Sequence, residues 1–392
     1  MSTNPRKKIC QMVVLPHLTG VQRSTMDICK RIDPERFEVH LICQGEGDLS
    51  RELEKIGARC HFVPELDRPI RLQQDWRALR RIRQICKEQQ FDIVHTHSSK
   101  TGVLGRISAR RAGVGAVVHH VRGFAFHEYS SKLSRFIYSR VEKFAARYCD
   151  KVIFVNDEER RMAIENKWIP AEKCITIYNG ADLDLYDSKN NAQARVDFRK
   201  EHGLDDEEVA IVIGGRFMEQ KQSMIVPDIA AALDQQLPDA RWRILMAGEG
   251  ELEEPLRQKI VAREMGHRVE LIGWHPNPNE LMAGCDVMLL PSLWEGLPRV
   301  LIEAQASGLS IVASDIKGNR EVVTEQTGFL CEPKNPDSYV KGLSVLISEK
   351  ETRTRMGAAA RKRAEETFDI RNTFEKILTL YDDLLNRPKA GE

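Results

Sequence analysis

The chain has 392 residues, 42% hydrophobic and 30% charged, which suits a soluble globular protein of two or three domains with full-size cores. Lys and Arg total 59 against 58 Asp and Glu, but residues 1–150 hold 27 cations and 16 anions while residues 151–392 hold 32 and 42, an asymmetry that points to an anionic partner for the front half. No apolar run approaches the roughly 18 residues of a membrane-spanning helix, the opening Met1-Ser2-Thr3-Asn4-Pro5 leads into no signal-peptide pattern, and nine cysteines without a C-x-x-C pair fit a reducing cytoplasm better than a structural zinc site.

In chain order, short β-branched runs alternate with stretches of helical period. Strands are predicted at Cys10–Leu15, Phe37–Cys43, Asp92–His95, Ala116–His120 and Lys151–Val155, and helices at Val21–Arg31, Leu49–Ile56, Asp75–Lys87, Lys100–Ala112 and near Ser131–Tyr148. The rhythm pauses after Ile175–Gly180, and the polar, charged residues 182–208 read as a linker. It restarts with strands at Val209–Gly214, Trp242–Met246, Val269–Ile272, Val287–Leu290 and Ser310–Ala313, and the segment Pro336–Leu385 reads as helices only. Alternating strands and helices imply βαβ units and parallel sheets, so the fold class is α/β with two similar halves. Parallel sheets bind ligands beyond the carboxyl ends of their strands, which directs attention to the strand-to-helix loops.

The richest loop is Pro291-Ser292-Leu293-Trp294-Glu295-Gly296-Leu297-Pro298, after a buried strand and before a helix that carries Glu303. Unpaired amides at Gly296 and Leu297 would make the helix start a phosphate site. Glu295 and Glu303 can accept hydroxyl protons from a sugar and a ribose, although two solvated acids at an ordinary helix start would look the same. Gly214-Gly215-Arg216 closes an earlier strand, and Lys221 follows, placing two cations where a diphosphate would bind and leave. A third turn, Gly248-Glu249-Gly250, ends the next strand.

These residues carry a resemblance. Gly215-Arg216 with Lys221, Gly248 with Gly250, Gly273, Asp286, Pro291-Ser292, Glu295-Gly296, Glu303-Ala304, Gly308, Asp315, Gly318 and Glu321 are similar to the family-4 glycosyltransferases, with Glu295 and Glu303 matching the family's two glutamates separated by seven residues. Phe91–His97 and Val118–Glu128 resemble the bacterial capsule and exopolysaccharide branch of that family. The resemblance implies a GT-B fold of two facing Rossmann-like domains with parallel sheets, with residues 1–185 binding acceptor, 186–370 binding a nucleotide-sugar donor, and 371–392 forming a helix that crosses back. It implies retaining transfer of a hexose or N-acetylhexosamine from a nucleotide sugar, UDP first by family frequency, to a hydroxyl of a lipid-linked saccharide. Gly20, Gly215, Arg216, Lys221, Gly248, Gly250, Glu295, Gly296, Leu297 and Glu303 would bind the donor, and Glu295, Arg216 and Lys221 would act in catalysis. No metal or further cofactor is expected, since Arg, Lys and a helix dipole neutralise the diphosphate; Asp182-Leu183-Asp184 has D-x-D spacing but lies in what resembles the family's interdomain loop.

The front half departs from the family pattern. The first loop reads Leu18-Thr19-Gly20-Val21, with one glycine where paired glycines are usual, and Arg122-Gly123 stands where relatives carry His-Gly. Gln222 follows Lys221 where the family favours glycine. His120 and His127 flank the changed pair and are the candidate catalytic histidines, while Thr19, Arg122 and His127 are the candidate acceptor contacts; a guanidinium cannot act as a base but can clamp a diphosphate. A non-catalytic sugar-nucleotide-binding subunit and a sugar-nucleotide epimerase are the competing readings. Finally, Trp76, Leu79, Ile82 and Cys86 on one helix, and Leu133, Phe136, Ile137, Val141 and Phe144 on another, form apolar stripes among Arg and Lys. Either each stripe is core beneath a solvated basic face, or the helices dock on an anionic membrane as a peripheral protein of its cytoplasmic face. No nucleic-acid-binding motif appears.

Overall fold

A computed structural model describes residues 5–387. It contains two compact units, one of residues 1–178 with 373–392 and one of residues 179–372. The first unit runs β1 (Lys7–Met12), α1 (Gly20–Arg31), β2 (Phe37–Cys43), α2 (Asp48–Glu54), β3 (Arg59–Phe62), α3 (Leu72–Gln89), β4 (Ile93–His97), α4 (Ser99–Ala112), β5 (Ala116–Val121), α5 (Lys132–Ala145), β6 (Lys151–Phe154), α6 (Asp157–Glu165) and β7 (Cys174–Thr176). All seven strands are parallel, in the order β3-β2-β1-β4-β5-β6-β7.

The sheet is buried on both faces, which is why its strands read as continuous apolar runs rather than alternating ones. One face packs on α3, α4 and the 3₁₀ turn Ala146–Tyr148 through Ile82, Cys86, Leu104 and Ala146. The opposite face packs on α1 through Ile28 and Ile32, and on Ile377, Leu380, Tyr381 and Leu384 of the last helix.

The second unit runs α7 (Ala192–Glu201), β8 (Val209–Gly214), α8 (Val226–Gln236), β9 (Trp242–Ala247), α9 (Glu253–Ala262), β10 (Val269–Gly273), α10 (Pro278–Gly284), β11 (Val287–Leu290), α11 (Arg299–Ala306), β12 (Ser310–Ser314), α12 (Lys317–Val322), β13 (Gly328–Cys331), α13 (Pro336–Ser348) and α14 (Lys350–Thr367). Its six parallel strands are ordered β10-β9-β8-β11-β12-β13. The chain then enters α15 (Ile370–Leu385), which supplies the first unit's last core side chains. No helix of the described residues is long and apolar enough to cross a membrane.

Two sequence expectations change. The linker read at 182–208 contains α7, whose Phe198 is buried and whose Arg195 and Arg199 reach Asp286 at 2.9 and 3.4 Å. Its charges looked solvated because their partner lies about ninety residues on. The apolar stripe of α5 is not core: Leu133, Phe136, Ile137 and Phe144 are exposed, and the helix buries Ser139, Glu142 and Ala145 instead. Arg106, fully buried, pairs with Glu142 at 2.8 Å, so the packed side of α5 is held by an ion pair.

Candidate functional site

In each sheet the strand order reverses once, between β1 and β4 and between β8 and β11. Helices leave opposite faces there, and the loops at the carboxyl ends part to form a crevice. The candidate residues of the second unit lie on the loops after β8, β9 and β11, with Glu303 within α11; those of the first lie after β1 and β5, except His120, which is within β5.

In the second unit, Lys221 sits in the 3₁₀ turn Glu219–Lys221 and its Nζ lies 2.6 Å from Oε1 of Glu295. Both side chains are largely shielded from water, which strengthens the pair relative to a surface one. The two loops are tied by further bonds: Gln220 Nε2 donates to the Trp294 carbonyl at 2.8 Å, and the Leu293 amide donates to the Gln220 carbonyl at 2.8 Å. Arg216 is exposed at the end of β8 and carries no ion pair among the described residues.

The glycines of this region are fixed by close approach. Gly248 has φ +157°, and a Cβ there would overlap the Gly215 carbonyl oxygen; one at Gly250 would overlap the Phe217 carbonyl. Pro298 is the N-cap of α11. Glu303 is buried and accepts from Arg299 Nε at 3.3 Å. Leu297 is buried, and its carbonyl accepts from Asn179 Nδ2 at 3.0 Å. The structure thus brings Gly215, Lys221, Glu295 and Gly248 into one bonded or touching group, with Gly296, Leu297 and Glu303 continuing from Glu295 into α11.

In the first unit, Thr19 is the N-cap of α1 and its hydroxyl bonds Gln22. Gly20 is exposed, and a Cβ there would meet open space, so nothing in the protein's own packing requires glycine. His120 is fully buried, on the same sheet face as His95, His97 and Gln11, because His97 pairs with His120 and Gln11 with His95 in register. The rings stack at 4.4 Å (His95–His97) and 5.4 Å (His95–His120). A bond chain sets the protons of His95 and His97, while both ring nitrogens of His120 are without a hydrogen-bond partner among the described residues. Gln11 Nε2 donates to Tyr381 Oη at 3.0 Å, which donates to His95 Nδ1 at 2.6 Å. Gln11 Oε1 then accepts from His97 Nε2 at 2.8 Å, leaving His97 Nδ1 to accept from Arg122 at 3.3 Å.

Burial, reinforced by Arg122, lowers His95 to about 3 and holds His97 and His120 far below the ordinary histidine range. All three are neutral at pH 7. His127 lies apart on the loop before α5, its ring 6.2 Å from Tyr129. Among the described residues His95, His97 and His120 are the one group of three ligand-type side chains with ligand atoms within 4.8 Å of one another. Both His97 nitrogens are engaged and a guanidinium stands beside them, an arrangement that disfavours a cation.

Sequence reasoning did not single out Gln11, His95, His97 or Tyr381. The alternation in Ile93–His97 carries the signal for the histidines, since residues two apart on a strand share a face. Nothing local to Tyr381 announces it, 286 positions from His95.

Comparison with known proteins agrees with this layout. The model of glycosyltransferase family 4 matches residues 18–185, and that of group 1 glycosyl transferases matches residues 195–363. The chain is 34% identical over 389 residues to the UDP-Gal:alpha-D-GlcNAc-diphosphoundecaprenol alpha-1,3-galactosyltransferase of Escherichia coli, covering 98% of this chain and 99% of that one. It is 26% identical to the capsular polysaccharide biosynthesis glycosyltransferase CapH of Staphylococcus aureus, over 84% of this chain and 88% of that one. Among solved structures, Anabaena Alr3699/HepE in complex with UDP and glucose superposes with a TM-score of 0.82 at 20% identity, covering 96% of this chain and 100% of that one. The two parallel-sheet Rossmann-like units are those of the GT-B fold. The chain belongs to the family-4 glycosyltransferases, and it is a glycosyltransferase.

Proposed function

We propose that this enzyme moves a hexose or N-acetylhexosamine, with retention, from a UDP-sugar to a hydroxyl of a lipid-linked saccharide in cell-surface polysaccharide synthesis. The observation that carries the donor half is the Lys221–Glu295 pair at 2.6 Å beside the switch point of the second sheet. The acceptor reading is supported by the Escherichia coli relative, named for transfer to GlcNAc-diphosphoundecaprenol and matched over 98% of this chain.

Arg216 and Lys221 would take up the donor diphosphate, with the amides of Gly296 and Leu297 at the start of α11 adding partial positive charge. No metal is needed for that neutralisation. Gly215, Gly248 and Gly250 would keep side chains out of the phosphates' path, and Gly20 would be a further donor contact. Glu303 would accept from the ribose hydroxyls, and Glu295 from hydroxyls of the transferred sugar. In the reaction the bond from the anomeric carbon to the phosphate oxygen breaks. The acceptor oxygen bonds the anomeric carbon on the same face, and its proton passes to the departing phosphate. Thr19, Arg122 and His127 would hold the acceptor, Arg122 clamping its diphosphate. Neutral His120, buried beneath Arg122, and His127 are the candidate polar groups at the reacting centre.

The outward apolar and basic residues of α3 and α5 support peripheral docking on the cytoplasmic face of an anionic membrane. Trp76 is exposed, with the Arg80 guanidinium 4.6 Å from its ring centre, and α5 presents Leu133, Phe136, Ile137 and Phe144 beside Lys132, Arg135, Arg140 and Lys143.

The test supplies UDP-galactose, UDP-glucose and UDP-N-acetylglucosamine, each with a GlcNAc-diphospho-lipid. Expected are acceptor-dependent UDP release, an α-linked product by anomeric NMR coupling, and full activity in EDTA. An isomerised donor without glycosylated lipid, or a β-linked product, would overturn the reading.

A further inference from the structure

A second site lies in the first unit, away from the switch point. The 3₁₀ turn after α5, the end of α6 and the segment leading to β7 enclose a cavity of about 370 Å³. Its charged lining is entirely cationic: Lys143, Arg147, Lys167 and Lys173, with no carboxylate. Lys173 anchors the wall, its Nζ donating to the carbonyls of Ala146 at 3.0 Å and Cys149 at 2.7 Å. Lys143, Arg147 and Lys167 make no ion pair among the described residues, although the surrounding surface pairs its charges freely, as at Arg160–Asp157 and Arg110–Asp150. The rest of the lining is apolar, and Trp168 is held rigidly by edge-on packing against Phe124 and Phe126 at 5.6 and 5.3 Å.

The cavity is continuous with the outward stripe of α5. Lys143 and Arg147 belong to that helix and the turn after it, and Phe144, between them, packs edge-on against Tyr148 at 5.4 Å. Three unpaired cations around an apolar floor suit one phosphate with hydrocarbon attached. The adjoining row of Leu133, Phe136, Ile137 and Phe144 suits the acyl boundary where such a phosphate sits.

We propose that this cavity binds the phosphate headgroup of an anionic glycerophospholipid while α5 lies in the membrane interface. The proposal rests on the membrane docking put forward above and gives it a stereospecific contact. Dispersed surface charge responds to total charge alone; a headgroup site responds to which cations are removed.

The test is flotation of the full chain with phosphatidylcholine vesicles, with and without phosphatidylglycerol. Lys143→Gln/Arg147→Gln/Lys167→Gln is compared with Arg77→Gln/Arg80→Gln/Arg81→Gln on α3, which removes equal charge. All six positions are exposed, so both variants should melt as the wild type does. The cavity variant should lose about tenfold or more in affinity for anionic vesicles, and the α3 variant clearly less. Equal losses would show that only net charge matters and overturn the site. Retained binding in the cavity variant would overturn the site while leaving docking intact. Dihexanoyl-phosphatidylglycerol below its micelle concentration should bind saturably to wild type and not to the cavity variant. That result with no vesicle flotation would sustain the site and remove the docking. Equal affinity for inorganic phosphate, or for dihexanoyl-phosphatidylcholine, would overturn the headgroup assignment.

Discussion

Bonds from Gln220 to Leu293 and Trp294 hold the loops of Lys221 and Glu295 together, so that the two side chains meet at 2.6 Å. If Lys221 serves the departing phosphate and Glu295 the sugar, removing either leaves the other as an unbalanced, shielded charge in the donor pocket. Lys221→Ala and Glu295→Gln should each lower kcat by about 10²–10³, the scale of losing one transition-state contact, with the double variant well short of the product. Multiplicative losses in steady-state kinetics would mean the pair does not act as a unit. The glycines divide by the same kind of reasoning. Gly248→Ala forces a Cβ into the Gly215 carbonyl at φ +157°, so both UDP binding and melting temperature should fall. Gly20→Ala meets open space, so stability should stay within about 1 kcal/mol of wild type, and only close ligand approach would reduce turnover. Unchanged activity in Gly20→Ala would remove Gly20 from the donor contacts.

At the scale of elements, the inner strands and the loops that follow them were legible because buried parallel strands and glycine-marked turns leave local signals, while the short edge strands β3, β7 and β13 were not predicted. What was not legible depended on distant partners. The segment 182–208 hides α7 because Phe198 and Arg199 are buried only once Asp286 and Gly284 arrive beside them. The α5 stripe has core periodicity and is nonetheless exposed, since Glu142 finds Arg106 on the opposite side of the helix. Phe136→Ser and Ile137→Ser should therefore cost about 0.5 kcal/mol or less in denaturant titration, where a core position would cost several. The buried histidines of β4 and β5 make a larger statement about stability. His95, at about 3, lies below an unfolded value of about 6.5, so the unfolded chain binds the extra proton in acid. Its contribution is complete above that unfolded value and is lost as pH falls toward the folded one. His97, His119 and His120 are displaced in the same direction by burial. Unfolding free energy from denaturant titration should drop steadily below about pH 6.5, and His95→Gln should flatten that slope by up to about 1.4 kcal/mol per pH unit. A slope identical to wild type would mean that His95 is not held neutral.

Over the whole molecule, charge follows the compact units. The first holds 35 Lys and Arg against 25 Asp and Glu, or +10; the second holds 24 against 33, or −9. If the acidic unit holds a diphosphate it must do so through local groups, which is the role proposed for Arg216, Lys221 and the start of α11; the basic unit's field would favour an anionic surface. The same partition explains why the chain's end belongs with its beginning. Ile377, Leu380, Tyr381 and Leu384 of α15 cover Ile9, Ile93, Val118 and Ile153 of the first sheet. Four such side chains at about 1.5–3 kcal/mol each rival the full stability of an ordinary domain. Tyr381 adds the bonds to Gln11 and His95 that orient His97 toward Arg122. Stopping the chain after Asn372 should therefore unfold the first unit, seen as lost hydrogen-exchange protection in β1, β4 and β5 while β8, β11 and β12 stay protected. Tyr381→Phe keeps the apolar cover and deletes only the hydroxyl, leaving a buried His95 nitrogen and the Gln11 amide without their partner, at a cost of about 1–3 kcal/mol. If Arg122 clamps the acceptor, that variant should raise the acceptor KM with little change in the donor KM. A merely structural tyrosine would lower melting temperature and leave the ratio of the two constants where it was.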